Sequence, residues 1–474
     1  MSDPSAPMKL TVEQAIERLG TGKFQRRMVI AMGLCTASDA MEVLLLSFLS
    51  IVVQHEFGVG PHEGSLLTSS VFIGAMIGTF ILGRMGDIVG RKPMFLTSSV
   101  IISVAGLLTA LAQSYWVMVV LRMGVGVGLG GLVIPYDSLA ELMPSRDRGR
   151  YLLLGGYFWA LGSVSVAGLA FLGLQEEGSW RLFVLLCSVP CVISTFLAIV
   201  WVPESPRWLA SKGKEERALE ILRDAARQNG KDPMAVFPAG LTLVENPNEE
   251  QLHSLGCLFK KEWRKLTLII WGVWLGKSFM YWGTVQLVTL VFANEDPNNL
   301  QNDQTYTFDY GAIGASALAE VVGATITIVF LERGGRMTLQ SILYLMTGIF
   351  SIILCLFASD ASPNRAVLVV FAFLARMCAQ GATGLTWLIT AEIIPTRIRN
   401  TGHATASAIA RIGGACSPWL MSSENSFQTI AIAYGFVTIY ITIMVCFLPE
   451  TGGTELGTAG SFSEEDHTHV SEII

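Results

Sequence analysis

The chain has 474 residues, of which 51% are hydrophobic and only 15% are charged, and its mean hydropathy is +0.52. An average soluble protein is about 25% charged, so this apolar excess excludes a soluble multidomain protein and requires a lipid bilayer as solvent. The net charge of −6 indicates no strongly acidic or basic partner, and we expect no nucleic-acid partner. The eight cysteines have no convincing metal-ligand spacing, so we expect no metal site.

Twelve apolar stretches approach the ~20 residues that a membrane-spanning helix needs. We therefore predict an all-α membrane protein with twelve spans, whose bounds are good to a few residues. The spans are placed at about 28–53, 66–85, 94–113, 115–138, 151–174, 182–202, 266–293, 310–331, 338–358, 366–390, 403–422 and 427–448.

The basic residues predict the orientation of these spans. Of the 32 Lys and Arg residues, 26 fall in the N-terminal segment and the even-numbered loops, whereas only Arg181 and Arg365 fall on the other side. Because cytoplasmic loops are enriched in Lys and Arg, both termini are expected in the cytoplasm. The membrane would be the plasma membrane or that of an intracellular vesicle.

Five segments follow from this placement. We predict a cytoplasmic N-terminus (1–27), a six-helix bundle (28–202), a cytoplasmic central loop (203–265), a second six-helix bundle (266–448) and an acidic cytoplasmic tail (449–474). The central loop contains an amphipathic helix at Lys214–Arg227, which we interpret as a surface helix with no substrate role. The tail is expected to be disordered. Its last residues, Glu472–Ile474, are a weak candidate ligand for a peptide-binding domain.

The two bundles repeat each other in sequence. Ala140–Arg148 recurs as Ala391–Arg399, and Asp87–Arg91 recurs as Glu332–Arg336. The dipeptide Pro203-Glu204 ends the first half as Pro449-Glu450 ends the second, and Arg122 is echoed by Arg376. Four echoes in the same order predict two structural repeats around a central cavity.

Several of these motifs resemble a known family. GRMGDIVGRK (83–92) and the glycine-rich stretch after Arg122 resemble motifs of the major facilitator superfamily. TVEQAIERLGTGKFQ (11–25) and TAEIIPTRIRNTG (390–402) are similar to the synaptic-vesicle-two-related and bacterial nicotinate-transporter group. The resemblance covers nearly the whole chain. It implies the two-bundle fold and secondary transport by alternating access.

Charged residues at the loop ends form a candidate gate. Asp87 is placed to accept hydrogen bonds from the free N–H groups of a neighbouring helix N-terminus. The resemblance implies that such networks hold the outward-open state, whereas the simpler alternative is that these charges only set topology. The predicted gating residues are Asp87, Arg91, Arg122, Glu141, Arg148, Glu204, Arg207, Glu332, Arg336, Arg376, Glu392 and Arg399.

Ionisable residues inside the spans need a partner or a function, because each costs at least about 2.5–3.5 kcal/mol in the bilayer core. Asp39 and Glu42 share a face of span 1, and Lys277 occupies the equivalent depth in span 7. Three interpretations remain open. The Asp39–Lys277 pair is a permanent ion pair, or the two carboxylates carry a coupling proton, or these charges recognise the substrate directly.

Further intramembrane residues complete the candidate site. Arg411 in span 11 resembles the arginine of organic-anion carriers, whereas Lys277 departs from the uncharged residue of related chains. Tyr281 shares the face of Lys277, so a planar ring is expected to stack there, and Trp387 and Tyr157 are further aromatic candidates. Glu320 is expected to neutralise Arg376 or Arg411, or to join Asp39 and Glu42 in proton coupling.

These observations predict a secondary transporter of a small organic anion, such as an aromatic monocarboxylate of the nicotinate type. The only coupling ion suspected is H⁺, and the other partners are the substrate and the bilayer. An organic-cation or sugar carrier remains an alternative, as does a vesicle membrane protein without transport. An enzyme is not expected, because the sequence shows no nucleophile–base or metal constellation.

Overall fold

A computed structural model describes residues 9–131, 133–174, 180–244, 255–295, 306–330, 335–360, 362–394 and 398–450. The acidic tail after Glu450 lies outside this part, so its disorder and the peptide-binding role of Glu472–Ile474 stay predictions.

The first half of the chain is mainly helical. Its elements are β1 (Lys9–Thr11), α1 (Val12–Leu19), α2 (Lys23–Glu56), α3 (Pro61–Val89), α4 (Arg91–Thr109), α5 (Tyr115–Gly130), α6 (Val133–Leu142), α7 (Ser145–Gly173), α8 (Trp180–Trp201), α9 (Pro206–Ser211), α10 (Glu215–Gln228), α11 (Pro233–Val236) and β2 (Thr242–Val244).

The second half follows the same plan. It contains a 3₁₀ helix (Leu255–Phe259), α12 (Arg264–Val291), β3 (Ala293–Glu295), β4 (Tyr306–Phe308), α13 (Tyr310–Phe330), α14 (Arg336–Ala358), α15 (Arg365–Ile393), α16 (Arg399–Leu420) and α17 (Phe427–Cys446).

The predicted all-α membrane fold is confirmed, with a long helix for each of the twelve spans. Ten helices of the described chain are long and apolar enough to cross a membrane. The helices at the predicted spans 7 and 11 are α12 and α16, which carry Lys277 and Arg411. The predicted fourth span corresponds to Tyr115–Leu142, of which α5 and α6 are the described parts.

The strands of the described residues form two short sheets. β1 pairs in parallel with β2, and Leu10 lies opposite Leu243. β3 pairs with β4 in an antiparallel hairpin, and Ala293 lies opposite Phe308. Strands of three residues carry too little alternation of apolar and polar side chains to be recognised in a sequence.

The chain forms two compact units. The N-terminal unit comprises residues 1–249 and 293–314, and the C-terminal unit comprises 250–292 and 315–474. In the N-terminal unit α3 packs on α5, and α2 packs on α7 and α8. In the C-terminal unit α12 packs on α16, and α14 packs on α15 and α17.

Glycines allow the closest of these helix contacts. A side chain at Gly126 of α5 would overlap the carbonyl oxygen of Val71 in α3. In the C-terminal unit a side chain at Gly323 of α13 would overlap the carbonyl oxygen of Met377 in α15. Small residues let helix backbones approach closely, and packing at this distance drives association in lipid.

The β3–β4 hairpin belongs to the N-terminal unit, although it follows α12 in sequence. The Phe308 ring lies with its centroid 5.1 Å from that of Phe48 in α2. The Tyr310 hydroxyl donates to the carbonyl oxygen of Leu174, at a distance of 3.4 Å. Aromatic packing therefore holds this hairpin against the first set of spans.

The N-terminal segment and the central loop together form a small subdomain, here called the N-terminal cap (β1, α1, α9–α11 and β2). Thr11 and Gln14 form a capping box at the start of α1. The buried face of α1, with Ile16 and Leu19, belongs to the same apolar cluster as Leu219 and Leu222 of α10. The predicted helix at Lys214–Arg227 is therefore present as α10, and the N-terminal segment covers its apolar face.

Asn229 joins the N-terminal cap to the first span. Its Oδ1 accepts a hydrogen bond of 3.0 Å from the Phe24 backbone N–H, and its Nδ2 donates to Gln25 Oε1 at 3.0 Å. Lys231 Nζ donates to the Leu19 carbonyl at 2.8 Å, near the end of α1. The start of α2 is thereby tied to the end of α10.

We expect Asn229→Ala to destabilise the N-terminal cap by about 1–2 kcal/mol, because it removes both side-chain hydrogen bonds. Amide hydrogen exchange of residues 9–28 is the measurement, and exchange in this segment should become faster. Asn229→Asp is the matched control, since it keeps the oxygen that accepts from Phe24. Unchanged exchange in Asn229→Ala would contradict the assignment.

Candidate functional site

Lys277 lies inside the C-terminal unit among aromatic rings. Its side chain is only 7% exposed. The Nζ atom lies 4.1 Å from the centroid of the Trp274 ring and 4.9 Å from that of Trp387. Trp274 precedes Lys277 by three residues on α12, so both share one helix face. The electron-rich faces of the two rings stabilise the ammonium group.

A histidine completes this aromatic enclosure. The centroid of His403 on α16 lies 5.3 Å from Trp274 and 4.7 Å from Trp387, and the two indole rings lie 4.9 Å apart at 66°. Trp274 Nε1 donates to Thr390 Oγ1 at 2.8 Å, which fixes the orientation of the ring. We call Trp274, Lys277, Trp387 and His403 the Trp–Lys cage.

The Trp–Lys cage carries positive charge without an internal counter-charge. Arg411 on α16 is half-buried and close enough to Lys277 to repel its ammonium group. Within the described part of the C-terminal unit, no carboxylate forms an ion pair with Lys277. Buried charge of one sign is costly unless an opposite charge compensates for it.

Tyr281, one turn along α12, contacts a second charged cluster. Its hydroxyl donates to Glu320 Oε1 at 3.1 Å, and Arg376 Nη2 lies 2.5 Å from the same oxygen. Arg376 Nη1 also donates to Ser316 Oγ at 3.5 Å. Of the two partners expected for Glu320, the structure selects Arg376. The second oxygen, Oε2, is buried and has no hydrogen-bond partner among the described residues.

The N-terminal unit contains a second buried ion pair. Arg122 Nη1 lies 2.8 Å from Glu42 Oε2, and both side chains are 0% exposed. Ser188 of α8 donates to Glu42 Oε1 at 3.3 Å. The sequence-based expectation that Asp39 would be the charged neighbour of Glu42 needs correction, because Glu42 points inward to Arg122 of α5.

Asp39 and Tyr157 also belong to the N-terminal unit. Asp39 is half-buried on α2, three residues before Glu42, and Tyr157 is half-buried on α7. The expected Asp39–Lys277 pair joins residues of the two different units and stays a prediction.

The loop ends of the N-terminal unit carry a charged network centred on Glu204. Its Oε1 accepts from the backbone N–H groups of Arg91 and Lys92, at 2.8 and 3.1 Å. The Arg91 side chain in turn lies 3.5 Å from Glu141, which accepts a hydrogen bond of 2.5 Å from Ser205. Glu204 therefore caps the start of α4 and places Arg91 beside Glu141.

The C-terminal unit repeats this network. Glu450 accepts from the backbone N–H groups of Arg336 and Met337, at 2.8 and 3.2 Å, and the Arg336 side chain pairs with Glu392. Glu204 and Glu450 thus cap the starts of α4 and α14, and the helix capping predicted for Asp87 stays a prediction. The side chains of Asp87, Arg148 and Arg399, and all of Glu332, lie outside the described part.

Three residues assigned to the gate have different partners. Arg207 of α9 lies 3.9 Å from Glu13 of α1, so it forms an ion pair within the N-terminal cap. Arg122 and Arg376 are buried at Glu42 and Glu320, away from the loop-end carboxylates. Their position follows from helix geometry, since each lies well inside its helix instead of at the end.

Sequence reasoning missed part of the Trp–Lys cage. Trp274 was detectable from its three-residue spacing to Lys277. His403 and Thr390 gave no signal, because their proximity depends on how α15 and α16 pack against α12. Ser188 was missed for the same reason, since its contact with Glu42 depends on the packing of α8 on α2.

Comparison with known proteins identifies the family. Residues 49–459 match the "Sugar (and other) transporter" family. The synaptic vesicle 2-related protein of Xenopus laevis is 31% identical over 94% of this chain and 82% of its own length. The organic cation/carnitine transporter 7 of Arabidopsis thaliana is 31% identical over 96% of this chain and 98% of its own length.

The chain belongs to the sugar transporter family of the major facilitator superfamily. The fold agrees, because the xylose transporter XylE of E. coli, in a partially occluded inward-open conformation, superposes with a TM-score of 0.69. That structure is 21% identical and covers 91% of this chain and 100% of its own. The expected resemblance to the synaptic-vesicle-two-related group is thereby confirmed.

A double-mutant cycle can test whether the buried Arg122–Glu42 pair stabilises the protein. We expect Arg122→Met to destabilise the protein by about 3–5 kcal/mol, because it leaves the Glu42 charge buried and unpaired. The double variant Glu42→Gln/Arg122→Met should recover much of this loss. Thermal unfolding in detergent ranks the stabilities of the wild type, the single variant and the double variant. Additive losses in the double variant would show that the two side chains are not coupled.

Proposed function

We propose that this membrane transporter carries a small organic anion, and that an aromatic monocarboxylate such as nicotinate is the best-fitting class. One observation carries the proposal: Lys277 is buried against two tryptophan rings, and no carboxylate of its own unit is paired with it among the described residues. An anion would supply the missing charge. A planar ring would stack on the indoles.

The roles within this proposal follow from the contacts. Lys277 and Arg411 bind the carboxylate, Arg411 in a bidentate geometry that a guanidinium permits. Trp387 and Trp274 flank the ring. Tyr281 is held by Glu320 and so connects the anion site to the second ion pair. Tyr157 is a further aromatic contact proposed from the sequence.

We further propose that a proton drives the transport. Asp39, Glu42 and Glu320 are the carboxylates proposed for this role. Glu42 and Glu320 are each paired with an arginine inside a span, where protonation would release that arginine. The buried Oε2 of Glu320 offers a place for the proton, since it has no hydrogen-bond partner in the described chain.

The gate and the orientation complete the proposal. The paired networks of Glu204 with Arg91 and of Glu450 with Arg336 would lock one end of each unit and release it during alternating access. Alternating access would need these contacts to break and re-form, so we propose that neither state is favoured strongly. The positive-inside bias supports cytoplasmic termini, in the plasma membrane or in a vesicle membrane.

An organic-cation carrier is the second candidate. The similarity to the organic cation/carnitine transporter 7 favours it, and the free oxygen of Glu320 would accept a cationic group. In that case the carboxylates and not Lys277 would bind the substrate. The family name also allows a carrier of a neutral sugar, whose binding would depend neither on Lys277 nor on the carboxylates.

The first test replaces Lys277. We expect Lys277→Met to weaken binding of benzoate and nicotinate by about 10- to 100-fold, because a charged hydrogen bond contributes about 1.5–3 kcal/mol. Lys277→Arg, which keeps the charge, should lose less. Ligand-induced thermal stabilisation of the purified protein is the measurement.

Quaternary amines are the control ligands for this test. If they stabilise the wild-type protein and carboxylates do not, the cation carrier replaces the anion carrier. Equal carboxylate binding by wild type and Lys277→Met would likewise overturn the anion proposal.

Proton coupling is tested in proteoliposomes with an imposed pH gradient. Glu42→Gln leaves Arg122 buried without its counter-charge, so this variant should also be less stable. In the protein that folds, we expect it to abolish accumulation driven by the pH gradient, because it cannot exchange a proton, while substrate still moves down its own concentration gradient. Asp39→Asn is the parallel test of the second carboxylate. Ser188→Ala is the matched control, since it removes a contact with Glu42 but leaves the carboxylate. Gradient-driven accumulation in both carboxylate variants would exclude coupling through span 1.

A further inference from the structure

A short segment before α12 exposes apolar side chains. Leu255 is 53% exposed and Phe259 is 50% exposed, whereas Cys257 and Leu258 between them are buried. The 3₁₀ helix thus anchors one face in the C-terminal unit and presents two large apolar groups on the other. Isolated exposed apolar residues need no explanation, but these two adjoin a dense cluster of charge.

Four basic residues follow directly, and all are exposed. They are Lys260, Lys261, Arg264 and Lys265, here called the basic rim. None of their side chains forms a hydrogen bond or ion pair with the described residues of the C-terminal unit. Glu262 is the one acidic residue among them. The basic rim therefore presents a net charge of +3 over six residues.

Some basic residues elsewhere in the described chain have partners. Arg91 lies beside Glu141, Arg336 pairs with Glu392, and Arg27 at the start of α2 donates to Gln228 at 3.3 Å. The N-terminal cap covers the start of α2 through Asn229. Topology alone accounts for basic residues near the membrane. The basic rim differs in that it adjoins two exposed apolar side chains, Leu255 and Phe259.

We propose that the basic rim binds the headgroups of anionic phospholipids, while Leu255 and Phe259 insert at the boundary between headgroups and acyl chains. Clustered Lys and Arg next to a span attract anionic lipids, and apolar side chains beside them supply the buried area that interfacial binding needs. The first turn of α12 has no acidic residue and no side-chain cap, so local electrostatics also favour an external anion.

The experiment uses the full-length protein in nanodiscs of phosphatidylcholine with increasing fractions of phosphatidylglycerol. We expect phosphatidylglycerol to raise the apparent Tm of the wild-type protein, because binding to the folded state stabilises it. The variant K260Q/K261Q/R264Q/K265Q should need at least about tenfold more of this lipid for the same shift. The matched control K212Q/K214Q/R217Q/R227Q makes the same change in net charge on α9 and α10 and should respond as wild type.

Measurements on the wild type keep the test independent of whether the variant folds. Raised salt should abolish the shift, since the Debye length falls to about 3 Å at 1 M. An equal shift from inorganic phosphate in phosphatidylcholine nanodiscs would assign the rim to a soluble anion and overturn the proposal.

The acidic tail is the competing occupant within the chain. Its residues Glu464, Glu465 and Asp466 carry the opposite charge to the rim. A protein ending at Gly457 should respond to phosphatidylglycerol as the full chain does. A lipid effect that appears only after this truncation would show that the tail occupies the rim and would overturn the proposal. The proposal would also be overturned if K260Q/K261Q/R264Q/K265Q responded to phosphatidylglycerol as the wild type does.

Discussion

A charge that leaves water must find an opposite charge, and this requirement determines how the two units of the protein are arranged internally. Each unit buries an arginine near the middle of a helix, and each supplies a carboxylate to it. Arg122 meets Glu42 from α2, whereas Arg376 meets Glu320 from α13. Replacing one partner of such a pair is expensive, by about 3–5 kcal/mol, because the other charge stays in the low-dielectric interior. The equivalent arginines thus have counter-charges from non-equivalent helices.

Lys277 is a buried cation that pairs with no carboxylate among the described residues of its own unit. The two indole rings reduce the cost of its charge, and the Thr390 hydroxyl holds one of them in place. Arg411 lies close enough to repel the Lys277 ammonium group. A site of this kind stores unfavourable electrostatic energy, which a bound anion would relieve. That energy difference between empty and loaded protein is what a transporter can use to change conformation.

The sequence predicted the twelve spans and the repeat, because both depend on patterns that a bilayer enforces residue by residue. It also identified Lys277, Glu320 and Arg376, since an ionisable residue in an apolar stretch is conspicuous. It did not predict that Glu42 turns towards Arg122, or that His403 closes the Trp–Lys cage. These contacts depend on how each helix is rotated about its axis, because a rotation of a few degrees changes which residues a side chain contacts. Glu204 was assigned to the gate, but its hydrogen bonds to the start of α4 required coordinates.

The β3–β4 hairpin shows that the halves of the sequence and the folded units do not coincide. The repeat divides the chain between α8 and α12, but residues 293–314 fold with the first unit although they follow α12. Two half-chains divided in the central loop would therefore not be self-sufficient. The first would lack the aromatic packing on Phe48, and the second would carry an exposed aromatic hairpin.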